Sequence, residues 1–180
     1  NLEQKKQLKM VKGSSHHLLV LINDILDISK IEAGEVTVSK ENFNLRQVIE
    51  RVMESLRPMA EQKGLVISSK IDPEVDFLVS DERRIQQILI NLGGNAIKFT
   101  EKGTVSIVCR KRNTHMEILV KDSGIGIRAE DMEKLFKPFQ QLDTGTARTY
   151  EGTGLGLSIC KRILEVLGGA IKVKSQYGRG

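Results

Sequence analysis

Apolar residues recur at helical spacing near the start of the chain. Leu8, Val11, Leu18, Ile22 and Ile25 form one stripe, and Leu19, Leu21, Leu26 and Ile28 form a second. The pattern predicts a helix with a wide apolar face. At about 1.5 Å per residue it would run about 45 Å over residues 1–31. That is too long to bury on one small domain, so the stripe predicts a partner, most simply a second copy in a bundle. Gly34 signals the stop, and Val36 and Val38 between Glu35 and Phe43 predict a short strand.

Val48, Val52, Leu56 and Met59 mark one face of a helix from Leu45 to Lys63, ended by Gly64. Leu65 to Ile71 reads as a strand and Asp72-Pro73 as a turn. Asp81 is placed to cap a helix running through Ile85, Ile88, Leu89 and Leu92 to Phe99. Thr104 to Arg110 and Met116 to Val120 predict a hairpin about Asn113-Thr114. The polar stretch Gln140 to Gly152 is long enough for a lid. Leu155 to Leu167 predicts a last helix closed by Gly168-Gly169, and Ala170 to Ser175 a last strand. Strands and helices mix without regular βαβ alternation. The expected fold is therefore α+β, a two-layer sandwich of a mixed sheet with helices on one face, preceded by the long helix.

Composition narrows the function classes. In 180 residues, 39% are hydrophobic and 28% charged, a globular balance, and no apolar run reaches the length of about 18 residues that a membrane span needs. The start of the sequence has no signal-peptide core, and Cys109 and Cys160 are too far apart for a CxxC pair, so a reducing cytoplasm is expected. The net charge of +5 could suit nucleic acid, but acids and bases alternate and aromatics are only 4%, which argues against it.

Three stretches could carry chemistry. In GTGLGLSI, Gly152 to Ile159, glycines at a helix start let backbone N–H groups face a phosphate. The stretch lacks the Gly-Lys-Ser/Thr of a Walker loop and follows no strand, so neither that loop nor a dinucleotide fingerprint fits; a close-packed helix cap is the other reading. In VKDSGIGI, Val120 to Ile127, a strand ends in Asp122, an acceptor-only carboxylate. It could take the exocyclic amine of adenine, with Gly124 and Gly126 letting the base lie against backbone, or it could cap its own turn. In QQILINLGGNAIKFT, Asn91 and Asn95 share a helix face with Lys98 beyond them and Phe99 beside it. Asn95 could offer a neutral oxygen to Mg²⁺ and Lys98 could neutralise phosphate, or both could be plain polar helix residues.

Taken together, Asn91-x-x-x-Asn95, Asp122-x-Gly124-x-Gly126, Phe136-x-x-Phe139 and Gly152-x-Gly154-x-Gly156 resemble the N, G1, F and G2 boxes of sensor histidine kinases, in order. HLLVLINDILDISKIEAG is similar to the second helix of their dimerisation domain. The resemblance implies a dimerisation helix over residues 1–33, homodimeric through Leu18, Ile22 and Ile25. It implies an ATP-binding catalytic domain over 34–180, with a lid at about 128–155. The implied chemistry is transfer of the ATP γ-phosphoryl to a histidine, then to an aspartate of a response-regulator receiver domain. The implied ATP contacts are Asn91, Asn95, Lys98, Phe99, Asp122, Gly124, Ile125, Gly126, Ile127, Phe136, Arg148, Gly152, Thr153, Gly154, Leu155, Gly156 and Leu157, with Asn95 on Mg²⁺.

Departures from the family pattern are informative. Related chaperone, gyrase and mismatch-repair ATPases carry a water-activating glutamate where Asn91 stands, and an amide cannot accept a proton in that way. No His-Glu/Asp-x-Arg-x-Pro motif occurs; His16-His17 and His115 lack its neighbours, so the phosphoacceptor helix is expected outside this chain. Gln140-Gln141 follow Phe139 where the family often has an arginine, leaving Arg148 as the substitute. The family's last strand is expected beyond Gly180, and any membrane attachment in other parts of the parent protein. An ATP-hydrolysing clamp and a non-catalytic dimeric scaffold are the alternatives.

Overall fold

The structure, a computed structural model, describes residues 37–141 and 153–180, and among the first 36 residues 3, 4, 7, 8, 10, 11, 15, 18, 19, 22, 23, 25–27, 29, 33 and 34. The chain divides into two compact units, Asn1–Val36 and Thr37–Gly180.

In the first unit the described residues between 3 and 29 are helical, and Ala33 and Gly34 form a turn. Leu8, Val11, Leu18, Leu19, Ile22, Ile25 and Leu26 are all exposed. A row of seven exposed apolar side chains is what the i, i+3, i+4 spacing produces when a helix lacks cover on its apolar stripe.

The second unit runs β1 (Glu41–Asn44), α1 (Leu45–Gln62), β2 (Val66–Ile71), β3 (Phe77–Ser80), α2 (Glu82–Phe99), β4 (Thr104–Arg112), β5 (His115–Asp122), a 3₁₀ turn (Ala129–Lys134) and α3 (Gly156–Leu167). β4 is the central strand of a mixed sheet, parallel to β2 and antiparallel to β5, with Ile107 opposite Val120 and Val105 opposite Asp122. β1 and β3 form a separate antiparallel ribbon.

Alternation along β4 sends Val105, Ile107 and Cys109 into the core, where they meet Val48, Val52 and Leu56 of α1 and Leu89, Ala96 and Ile97 of α2. Leu45, Val48, Ile49 and Val52 are fully buried, each worth about 1.5–3 kcal/mol of transfer free energy. Gly93 leaves the space that the Leu56 side chain fills, which is how α1 and α2 come close. Both helices carry side-chain caps, at Asp81 as expected and at Asn44 in addition. Asn44 Oδ1 accepts from Gln47 N at 3.1 Å, and Asp81 Oδ1 accepts from Arg84 N at 3.0 Å. Asp81 also accepts through Oδ2 from Ser39 N at 3.1 Å, so one buried carboxylate holds a helix start and a distant segment of the chain.

Three expectations need correction. Residues 37–40 form no strand; β1 begins at Glu41, because Phe43, not Val38, is the position that reaches the core. β3 is additional: DFLVS carries only one side chain, Leu78, that packs against the core, too little alternation to signal a strand. Ala170 to Ser175 is not a strand. The polar groups that follow it are engaged elsewhere: Gln176 N donates to Gly180 O (2.9 Å), Gly178 N to Ile125 O (2.7 Å), and Ser175 Oγ accepts from Ile127 N (2.9 Å). The chain end closes a turn on the loop after β5 instead of joining a sheet edge.

Candidate functional site

α2 brings both halves of the candidate site onto one rod. Asn91 and Lys98–Phe99 are separated along its axis by about 12 Å, from a rise of about 1.5 Å per residue. Asn91 faces the start of α3, and Phe99 faces the loop after β5.

At the Asn91 end, Asn95 Nδ2 donates to Asn91 Oδ1 at 3.1 Å. The bond consumes an amide nitrogen and leaves the Asn95 carbonyl oxygen as acceptor. A Cβ on Gly156 would lie 2.6 Å from both Nδ2 and Oδ1 of Asn91, so a side chain at this first position of α3 would displace the Asn91 amide. The start of α3 has no side-chain cap; Thr153 Oγ1 accepts instead from Leu155 N at 3.1 Å, one residue ahead of the helix. The N–H groups of its first turn carry the positive end of the helix dipole beside the two asparagines. Gly154, at φ +71°, gives passage to the backbone of Phe139 and Gln140; a Cβ there would lie 3.0 Å from the Phe139 carbonyl carbon. The second phenylalanine of the F box is thus seated on the second glycine of GTGLGLSI. Leu155 is fully buried and could meet a ligand only through its backbone, whereas Thr153, Gly156 and Leu157 are half-buried. Phe136 is half-buried with Lys161 Nζ 5.8 Å from its ring centroid. Arg148 and Gly152 lie outside the described residues, as does all of 142–152 within the expected lid of about 128–155.

At the other end, Asp122 closes β5 and its Oδ1 accepts from Gly124 N at 2.9 Å. Gly124 takes one oxygen, so the turn cap and an outside donor on Oδ2 are compatible. Ile125 N donates to Phe99 O at 3.3 Å, tying this loop to the end of α2. The space made by missing Cβ atoms is used by protein: a side chain at Gly124 would meet the Phe99 carbonyl, and one at Gly126 (φ +66°) the Gln176 carbonyl. Ile125 and Ile127 are half-buried beside them. Lys98 Nζ stands 4.8 Å from the Phe99 ring centroid, a cation–π distance. Burial, and then the nearby Lys63 charge, hold the Lys98 ammonium below the ordinary lysine value.

Two charged residues with several partners each were silent in the sequence. Asp131, buried in the 3₁₀ turn after the G1 loop, is bonded by Lys134 Nζ at 3.0 Å and Arg128 Nε at 3.1 Å. Lys63 reaches the end of α2 from α1. Its placement at a predicted helix terminus is a weak signal, since helix C-termini favour cations for their own carbonyls. Here it serves another helix.

The family described as "Histidine kinase-, DNA gyrase B-, and HSP90-like ATPase" matches residues 80–180. Hybrid signal transduction histidine kinase B of Dictyostelium discoideum is 45% identical over 98% of this chain, which spans 9% of that protein. The fold is similar to that of full-length ShkA in complex with AMPPNP, with TM-score 0.87 and 31% identity over 98% of this chain and 37% of that one. It is also similar to the histidine kinase ThkA in complex with the response regulator protein TrrA, with TM-score 0.71 and 29% identity over 92% of this chain and 45% of that one. The chain therefore spans a small part of such relatives. The chain belongs to the histidine kinase-, DNA gyrase B- and HSP90-like ATPase family, as an ATP-binding catalytic domain of the histidine-kinase kind.

Proposed function

We propose that this domain holds ATP along α2, adenine toward Asp122 and phosphates toward α3, and delivers the γ-phosphoryl to a histidine on a dimerisation helix. An aspartate of a response-regulator receiver domain then takes the phosphoryl. The Asp122 carboxylate accepts from the adenine amine, Phe99 lines the base pocket, and Gly124 to Ile127 form its floor. Lys98 and the first-turn N–H groups of α3 neutralise phosphate, with Arg148 and Gly152 contributing from the lid at about 128–155. Catalysis is then positioning plus charge neutralisation.

The observation that carries this reading is the Asn91 amide, bonded to Asn95 and pressed against Gly156. A neutral amide beside the phosphate end cannot deprotonate water, so ATP is held without a general base until another nucleophile arrives. The donor set also suits Mg²⁺: Asn95 supplies one neutral oxygen, and phosphates and water complete such a site. Among the described residues no group of three or more His, Cys, Asp or Glu offers a dedicated cage. Asn95 would hold the ion, which when bound would offset charge on the phosphate oxygens.

The exposed apolar side chains Leu18, Ile22 and Ile25 favour homodimerisation through residues 1–33. A cytoplasmic location fits a receiver partner; among the described residues no helix is long and apolar enough to cross a membrane. The test is labelling with ATP radioactive at its γ-phosphate. An acid-labile phosphohistidine should form on a histidine-kinase dimerisation hairpin added in trans, and none on His16 or His17. Steady ATP hydrolysis by the chain alone, lost in Asn91→Ala, would instead establish a clamp-type ATPase.

A further inference from the structure

The ammonium of Lys63 sits at the C-terminal end of α2. It donates to the carbonyl oxygens of Ile97 at 2.9 Å, Lys98 at 2.6 Å and Thr100 at 3.2 Å. An ammonium has three N–H donors and no acceptor, and its charge here opposes the negative end of the helix dipole. The neighbouring carbonyls have other donors: Thr100 Oγ1 bonds Ala96 O at 2.7 Å, and Ile125 N bonds Phe99 O. Every carbonyl from Ala96 to Thr100 is thus engaged, three of the five by one side chain. Lys63 itself is fixed, because its N–H donates to Ala60 O at 3.1 Å and Gly64 turns the chain at φ +66° just after it. The end of α1 is therefore fastened to the short piece of α2 from which Lys98 and Phe99 project and on which the Asp122 loop rests.

We propose that Lys63 is a positioning residue of the nucleotide site, setting Lys98 and Phe99 through the backbone carbonyls it holds. This rests on the reading of Lys98, Phe99 and Asp122 as nucleotide contacts. The competing role is a plain helix cap, which would support stability alone. The two roles separate at the opposite end of the same helix, where Asp81 is a cap remote from the Lys98 side chain. The Lys63 charge is moreover felt at the Lys98 ammonium, so the two cations stand close together at this end of α2.

Calorimetric titration of the whole chain with ATP decides between them. Lys63→Met should weaken binding by about tenfold, the weight of one charge-assisted hydrogen bond. Lys63→Arg should restore most of the affinity, while Asp81→Ala should lower the melting temperature yet leave the affinity of the folded protein unchanged. In the wild-type chain, saturation with ATP should shift the side-chain ammonium resonance of Lys63 together with the ring resonances of Phe99. That measurement applies even if Lys63→Met fails to fold. Wild-type affinity in Lys63→Met, or resonances that stay still, would overturn the proposal provided Asp122→Ala has lost ATP. If Asp122→Ala binds normally, the nucleotide-site reading itself fails.

Discussion

Gly156 and Asn91 are in contact through the space a side chain would occupy: a Cβ on Gly156 would stand 2.6 Å from both amide heavy atoms of Asn91. The last helix and the asparagine-bearing helix therefore meet at one point with no spare volume. Gly156→Ala should cost about 1–3 kcal/mol by overpacking and weaken ATP binding. Asn91→Ala in the same chain should recover much of that stability, so the two substitutions should be non-additive in a double-mutant cycle read by thermal melting and calorimetry.

Lys98 should trade stability for binding. Its folded-state pKa lies below the ordinary value of 10.5, through burial first and Lys63 second. Between the folded and unfolded values the unfolded chain binds more protons, so this group's contribution to stability rises with pH through that window. At neutral pH the charged form is penalised in the fold. Lys98→Met should therefore not lower the melting temperature of the free protein at pH 7, while ATP affinity falls about 10- to 100-fold. Because phosphate favours the charged ammonium, alkaline ATP binding should take up protons in the wild type, seen as buffer-dependent calorimetric heats, and less so in Lys98→Met.

Asp131 gives an acid-side counterpart. The hydrogen bond from Lys134 is the main reason its carboxyl titrates below the usual range; burial opposes that, and the charges of Lys134 and then Arg128 reinforce it. A depressed carboxyl stabilises the fold above its unfolded value of about 3.9 and loses that contribution as pH falls through the folded value. Asp131→Asn should melt lower than wild type at pH 7, and the gap should close on acidification below about pH 4. A constant gap across that range would show that the ion triad is not what holds the 3₁₀ turn.

Much of the fold was legible because its signals are local. The apolar positions of α1 and α2 recur at helical spacing, and Asp81, Gly64 and Gly168 mark helix ends by chemistry that needs no tertiary context. The hairpin about Asn113-Thr114 was equally local. What could not be read depends on distant partners. DFLVS became a strand because β1 lies beside it, and AIKVKS did not because neighbouring polar groups bond the loop after Asp122. The same division holds in the site. The boxes were visible as residue types: Asp122 ends β5, and Asn91 and Asn95 share one face of α2. The reasons for the glycines were not visible: Gly124 and Gly126 clear protein carbonyls, and Gly156 clears the Asn91 amide. The hold of Lys63 on the end of α2 was invisible because its partners lie 34 to 37 positions away.

The central claim is that Asp122 reads adenine while the α3 end of the site holds phosphate. Calorimetric titration of Asp122→Ala with ATP and ADP, beside the wild type with ATP and GTP, tests it most directly. The wild type should bind ATP and ADP but not GTP, and Asp122→Ala should bind neither adenine nucleotide in a chain that still melts cooperatively. Unchanged ATP affinity in the folded Asp122→Ala variant would contradict it.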